Sequence, residues 1–419
     1  MKVIKNSIIY LSSSILNKAV PFLLLPIMTK YLTPEDYGIL SIYTIFITLF
    51  TAFIGMNLHS NISKNFFKTT KQELSLYIGN IFIILSFTFI SYLIITYFIT
   101  LKYETIFSIP SKWILLIPFI SMMMMVNEIN TTILRNEQRA YMFGIFEISN
   151  TIVKLGITLI LLLLFGYGWY SPVLGVFTSS LLFFFIGIFY IYKQRYLSLK
   201  LDKEKVKSIL NISVPLIPHL LGGVVIAMSD RLFIEKMVSI KAVGIYSVGY
   251  MFGMVVMLFT DAFIKAWSPW FYKNLSQPTQ DKKEKIVKYT YLYIFSIFGL
   301  AIFISFLGEL ILPYFVDSKF YGASKFILWV SLGYAVRGTY QIFFPYLVHI
   351  NKTAFLGMST IIAAILNLVF NYIFIKYYGT IGAAYATALA FAVSAVLVFW
   401  YQNKHYKMPW NFKKVKKYD

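Results

Sequence analysis

The chain has 419 residues, of which 58% are hydrophobic and 13% charged, where soluble domains carry about 25% charged residues. So little charge cannot cover a globule of this size, and a bilayer span takes about 20 apolar residues. The composition therefore excludes a soluble enzyme, a disordered chain and a single-anchor protein, and it leaves room for about twelve spans. Long apolar runs also exclude a membrane β-barrel, whose strands alternate in short segments. Lys and Arg number 38 against 17 Asp and Glu, a formal net charge of +21. Inner loops of membrane proteins collect such an excess, and no basic soluble domain exists to bind nucleic acid.

In chain order the apolar windows are 8–31, 37–60, 76–100, 113–134, 141–165, 172–192, 209–233, 243–266, 287–310, 326–349, 354–377 and 382–402. The first follows Lys2 and Lys5 but is too long, and lacks a small-residue cleavage site, for a secretory signal. Pro21 and Pro26 should bend it. With the N-terminus inside, the inner loops hold roughly three Lys or Arg for each one in the outer loops, which predicts both termini inside. The longest inner connections, 193–208 and 267–286, are too short for a catalytic domain. The first reads as an amphipathic elbow on the inner leaflet. It divides the chain into a six-span half over 1–192 and another over 209–403, with a basic tail over 404–419.

The halves look related. Tyr37-Gly38-Ile39-Leu40-Ser41 matches Val243-Gly244-Ile245-Tyr246-Ser247, and Lys30 matches Lys236 at the same offset. Gly144, Leu155 and Gly166 fall on Gly357, Leu368 and Gly379. Six spans is an even number, so the copies share an orientation. The expected fold is an all-α membrane protein of twelve helices, in two six-helix bundles related by a pseudo-twofold axis along the membrane normal. Transporters built this way hold substrate between the halves and alternate access by rocking.

A charge at mid-span costs about 2.5–3.5 kcal/mol on insertion scales. Lys18, Lys154 and Arg337 lie near the middle of their windows, and His219 near the middle of the seventh. Acids sit off-centre: Glu128, Glu147 and Asp261 toward the inner side, Asp230 and Glu309 toward the outer. Unpaired midplane cations predict a cationic chamber for an anion such as a phosphate or pyrophosphate head group, which Arg grips as a fork and Lys as a point charge. The alternative is local pairing. Glu147 and Lys154 share a helix face, Asp261 and Lys265 have i,i+4 spacing, and Asp230-Arg231 is either an ion pair or interfacial charges, or else a gate or ion-coupling site. Glu128 and Glu147 are candidate proton carriers or, alternatively, caps of the inner gate. His219, just after Pro215 and Pro218, is a candidate coupling site. Gly249 and Gly253 form a helix-packing face. There is no Cys, the four His have no metal spacing, and no Walker loop appears. Nothing in the sequence asks for a cofactor, and no constellation of catalytic groups supports a lipid-modifying enzyme.

Asn367-Leu368-Val369-Phe370-Asn371, followed by Gly379-Thr380-Ile381-Gly382-Ala383-Ala384-Tyr385-Ala386-Thr387, resembles a signature of polysaccharide exporters. So do Val243–Ser247 after Asp230-Arg231, Trp267-Ser268-Pro269, and Tyr37-Gly38. The chain is similar throughout to the Wzx-type oligosaccharide flippases of the multidrug/oligosaccharidyl-lipid/polysaccharide exporter superfamily. That resemblance implies a bacterial inner-membrane flippase. Its substrate would be an undecaprenyl-pyrophosphate-linked oligosaccharide repeat unit, moved to the outer leaflet for O-antigen or capsule assembly. It also implies a cationic cavity, which Lys18, Lys154 and Arg337 match by position, and work beside a polysaccharide polymerase and a chain-length regulator. Related lipid II flippases typically have fourteen spans. The competing expectation is a cation-coupled multidrug exporter, but those usually carry an acid in the first span, where this chain has Lys18.

Overall fold

The computed structural model describes residues 9–10, 12–13, 17 and 19–411. Nine helices among them are long and apolar enough to cross a membrane, so this is a multi-pass membrane protein. The bilayer offers backbone groups no water, and a helix satisfies them within one segment. Local sequence fixes where the helices begin. Thr33 and Asp36 exchange bonds across the first turn of Pro34–Gly55, as Thr70 and Glu73 do for Lys71–Lys102. Ser239 and Thr279 cap Ile240–Gly253 and Gln280–Phe315. The 36 residues of Gln280–Phe315 extend about 54 Å at 1.5 Å per residue, beyond a hydrocarbon core of about 30 Å. Their first turns, Gln280–Lys285, are accordingly charged. In the first window the helix breaks at Leu24 and resumes as Leu25–Tyr31, with Pro26 in its first turn, where its missing N–H costs nothing.

The chain divides into two compact units, Met1–Leu221 and Gly222–Asp419. In the first, Leu116–Asn136 packs between Pro34–Gly55 and Tyr170–Lys193, and Ala140–Leu163 packs on Tyr170–Lys193. A core of Ile54, Ile62, Ile78, Leu85, Val126, Ile129 and Ile133 also takes in Ile209 from the Lys203–Ser213 helix. Connections gather at alternate ends. At one end Tyr196 Oη donates to Glu137 at 2.9 Å and Asn136 Nδ2 to Ser63 at 3.2 Å. Burial and the adjoining Glu137 carboxylate push the Tyr196 phenol up to about 12, so it remains a donor at physiological pH. At the other end Tyr43 Oη donates to the Trp113 carbonyl at 2.8 Å, and Trp113 stacks on Tyr170 at 4.6 Å. There the chain also forms a small hairpin, Thr105–Ile106 against Ile109–Pro110, with Phe107 and Ser108 both at positive φ. That strand pair departs from the all-helical expectation, because its turn lacks the Gly or Asn that signals a primed turn.

In the second unit Ser324–His349 packs against Ile381–His405, Gln280–Phe315, Ile240–Gly253 and Val255–Leu275. Buried Gly382, Ala383, Ala386 and Ala390 let helices approach closely. Gly249 faces the Ala323 carbonyl and Phe326, and Gly253 faces Val330 and Ser331. Gly379 adopts φ +65 just after Thr353–Tyr378, where a Cβ would be strained. The tail does not simply extend away. Tyr291 Oη donates to the Trp410 carbonyl at 2.9 Å, and the Trp410 ring meets Phe399 at 5.4 Å.

Gly253→Leu should force Val330 aside and cost about 1–3 kcal/mol, read as a lower Tm of purified protein. Gly299→Ala, with nothing near its Cβ position, should leave Tm unchanged.

Candidate functional site

In the second unit Arg337 is not bare. Its Nη1 lies 3.3 Å from Asp261 Oδ1, and Gln341 Nε2 donates to the same oxygen at 3.0 Å. Arg337 and Gln341 are four apart on Ser324–His349, so they share a face, and Asp261 comes from Val255–Leu275. Gly338 leaves the space that Thr260 and the Tyr293 hydroxyl occupy beside it. The expectation of three unpaired cations is therefore corrected for Arg337. Nor did the i,i+4 spacing to Lys265 anticipate that Asp261 would find partners on another helix. The guanidinium stays partly open, with its side chain 27% exposed, and one contact leaves most of its five N–H donors for other acceptors.

Asp230 and Arg231 form a different arrangement. Asp230 is fully buried. Its Oδ1 accepts from the Arg231 backbone N–H at 2.8 Å and from Nη1 at 2.9 Å, and its Oδ2 accepts from Tyr246 Oη at 2.5 Å. The Arg231 guanidinium lies over the Tyr250 ring at 4.1 Å, and Tyr334 Oη donates to Tyr250 Oη at 2.9 Å. Helix Ile217–Met237 continues for two turns past Asp230. The signature asparagines lie nearby. Asn367 Oδ1 accepts from Ser229 Oγ and from Asn371 Nδ2, both at 3.0 Å.

In the first unit Asn17 joins two side chains of Ala140–Leu163. Its Nδ2 donates to Glu147 Oε2 at 2.6 Å, and its Oδ1 accepts from Thr151 Oγ1 at 2.6 Å. Glu147 and Thr151 are one turn apart, so a single amide reads both. Glu147 lies within electrostatic reach of Glu128, Arg135 and Lys154. Lys154 is half-buried two turns further on. Glu128 is paired on its own helix: Arg135 Nη2 reaches its Oε1 at 2.6 Å and Thr132 Oγ1 at 3.0 Å. His59, set aside in the sequence for want of metal spacing, lies near Glu128 and Arg135. Lys18 and the His219 side chain lie outside the described residues; the His219 backbone is in helix Ile217–Met237.

The structure thus brings Glu128, Glu147 and Lys154 together in one unit, and in the other it places Arg337 within electrostatic reach of Tyr250 and Tyr334, the tyrosines beside Arg231. Sequence reasoning missed Asn17 and Gln341. Both are neutral amides in apolar windows, and each was detectable as the rare polar side chain one helix-turn or one residue from a candidate charge. Removing one partner of a buried pair strands the other charge, at a cost of about 3–5 kcal/mol. Asp230→Ala should therefore lower Tm sharply, and adding Arg231→Met should recover most of the loss.

Residues 3–275 match the family described as "Polysaccharide biosynthesis protein". The chain is 27% identical over 399 residues to the protein of Haemophilus influenzae named "Lsg locus putative protein 1", covering 91% of this chain and 96% of that one. It is 27% identical over 199 residues to the Haloferax volcanii protein named "Probable low-salt glycan biosynthesis flippase Agl15", covering 46% of this chain and 41% of that one. Among solved structures it resembles lipid II flippase MurJ in an inward closed conformation, with TM-score 0.72 and 18% identity over 95% of this chain and 87% of that one. It also resembles an inward-facing multidrug resistance transporter of the MATE family, with TM-score 0.70 and 15% identity over 93% of this chain and 94% of that one. At these identities the likeness is one of fold. The family match spans well over half of the sequence, and the chain belongs to the polysaccharide biosynthesis protein family.

Proposed function

We propose that the protein flips undecaprenyl-pyrophosphate-linked oligosaccharide repeat units from the inner to the outer leaflet of a bacterial inner membrane, for O-antigen or capsule assembly. Within this family, the observation that carries the reading is Arg337: a partly buried guanidinium held by one carboxylate, with the rest of its fork open. An arriving pyrophosphate exchanges for part of the Asp261 contact and gains a charge-assisted, two-pronged grip. Lys18 and Lys154 add point charges to the same cavity, while the polyprenyl tail stays in lipid. The protein does this without covalent chemistry, beside a polymerase and a chain-length regulator.

Twelve spans are proposed, in bundles over 1–192 and 209–403 related by an axis along the membrane normal. The elbow 193–208 and tail 404–419 lie inside. Two observations support this arrangement. Connections gather at alternate ends within the first unit, and the basic loops favour one side. Transport then alternates between inward-open and outward-open states. Coupling falls to Glu147 with its Asn17 and Thr151 partners, assisted by Glu128 and His219. The buried Asp230–Arg231 pair, with both carboxylate oxygens satisfied, acts as a lock that gates by holding its helices. The multidrug reading gains no separate support, since both transporter types share the fold.

Deleting the gene should leave lipid-linked glycan accumulated in the inner leaflet, and wild type should clear it. Arg337→Ala and Lys18→Ala, at equal protein level, should each lower export at least about tenfold, the scale of losing a charged contact. Arg337→Lys should keep part of the export. Normal export by both alanine variants would contradict the cationic site, and dye efflux without a glycan phenotype would favour a drug exporter.

A further inference from the structure

The helix Lys203–Ser213 is held firmly on one face. Ile209 is fully buried, and Val206 and Leu210 pack with it into the first unit's core. Ser208 Oγ lies 3.3 Å from Tyr77 Oη. Asn80 clamps the preceding strand of chain from both sides: Nδ2 donates to the Lys200 carbonyl at 3.1 Å, and Oδ1 accepts from the Asp202 N–H at 3.0 Å. Gly79 leaves room for the Ser198 backbone to come against the helix. Asp202 caps the first turn by accepting from the Glu204 and Lys205 N–H groups, both at 3.1 Å. Those bonds hold its carboxyl below the usual carboxylate range. Its other oxygen pairs with Lys205 Nζ at 3.2 Å.

The opposite face is built differently. Lys203, Lys207 and Asn211 follow at i, i+4 and i+8 and are all exposed. With Leu201, Val206 and Leu210 they border an open groove of about 300 Å³. Lys205 is engaged by Asp202, but among the described residues no acid pairs with Lys203 or Lys207. Leu201 is 58% exposed and Leu199 66%. A soluble anion has no use for the leucines, and an acyl chain has none for the lysines. An anionic glycerophospholipid matches both walls. The volume lies at the small end of ligand sites and suits a phosphate and glycerol, with the chains continuing over Leu201 and Leu199.

We propose that this groove binds one anionic glycerophospholipid of the inner leaflet, with its phosphate between Lys203 and Lys207 and its first acyl carbons on Leu201, Val206 and Leu210. The assignment rests on the orientation proposed above, which puts the elbow at the inner surface. Because this helix leads toward Gly222, where the second unit begins, the lipid anchors the connecting segment at the membrane surface.

The test is native mass spectrometry of the purified full-length protein with added phosphatidylglycerol or phosphatidylcholine. Wild type should retain one phosphatidylglycerol in preference to phosphatidylcholine. Lys203→Gln with Lys207→Gln should lower that retention roughly tenfold, the scale expected of two lysines facing an anionic head group. The corresponding double arginine variant should keep it. Lys273→Gln with Lys288→Gln removes equal charge elsewhere and should change nothing. Equal retention of the two lipids, equal loss in the Lys273/Lys288 control, or displacement of phosphatidylglycerol by added undecaprenyl pyrophosphate would each overturn the assignment. Orientation is read separately. The chain has no Cys, so Leu199→Cys supplies a single thiol. An impermeant maleimide should label it in inverted vesicles and not in spheroplasts. The reverse would overturn the orientation, while lipid retention in detergent still reports on the groove.

Discussion

Inside a bilayer a polar group has no water to meet, and that constraint organises this protein at every level. Backbone groups are satisfied by helices. Several intramembrane acids among the described residues take partners from a neighbouring helix or turn. Asp230 spends both oxygens on Arg231 and Tyr246. Asp261 takes Arg337 and Gln341, and Glu147 takes the Asn17 amide. Each cluster is built within one unit. Each is also a helix-packing contact, so the polar groups that cost most to bury help to set the helix register.

The clusters differ in how completely they are satisfied, and the roles proposed for them follow that difference. Asp230–Arg231 is closed: three donors on the carboxylate, aromatic rings against the guanidinium, and little exposure on either side chain. Arg337 is open, held through one oxygen and partly exposed. A closed pair stabilises one arrangement, whereas an open one can exchange partners with an arriving anion. Glu147 lies between these extremes, bonded to a neutral amide and surrounded by Glu128, Arg135 and Lys154. The coupling role proposed for Glu147 rests on this mixed environment of an amide, an acid and two cations.

Much of this was legible in the sequence. The apolar windows from 37–60 onward fall on helices, Gly249 and Gly253 pack as small-residue spacing implies, and Asn367 and Asn371 bond to each other at one helical turn. Those features depend on local periodicity. The partners of the charges did not follow, because they depend on how each helix is rotated about its axis. Asp261 and Arg337 are 76 positions apart, and no window analysis places them face to face. Asn17 and Gln341 carry no charge and drew no notice in apolar runs. The Phe107–Ser108 turn and the docking of Trp410 were hidden for a related reason: neither uses the residue types that usually mark such features.

The central claim is that a pyrophosphate-linked glycan crosses this protein by way of an exchangeable arginine. It is tested most directly with purified protein in proteoliposomes, by following the loss of a short polyprenyl-pyrophosphate-linked oligosaccharide from the leaflet accessible to an added lectin. The account predicts rapid translocation of that lipid and little translocation of the same glycan on a neutral lipid head group. Equal rates for both, or no protein-dependent translocation of either, would contradict it.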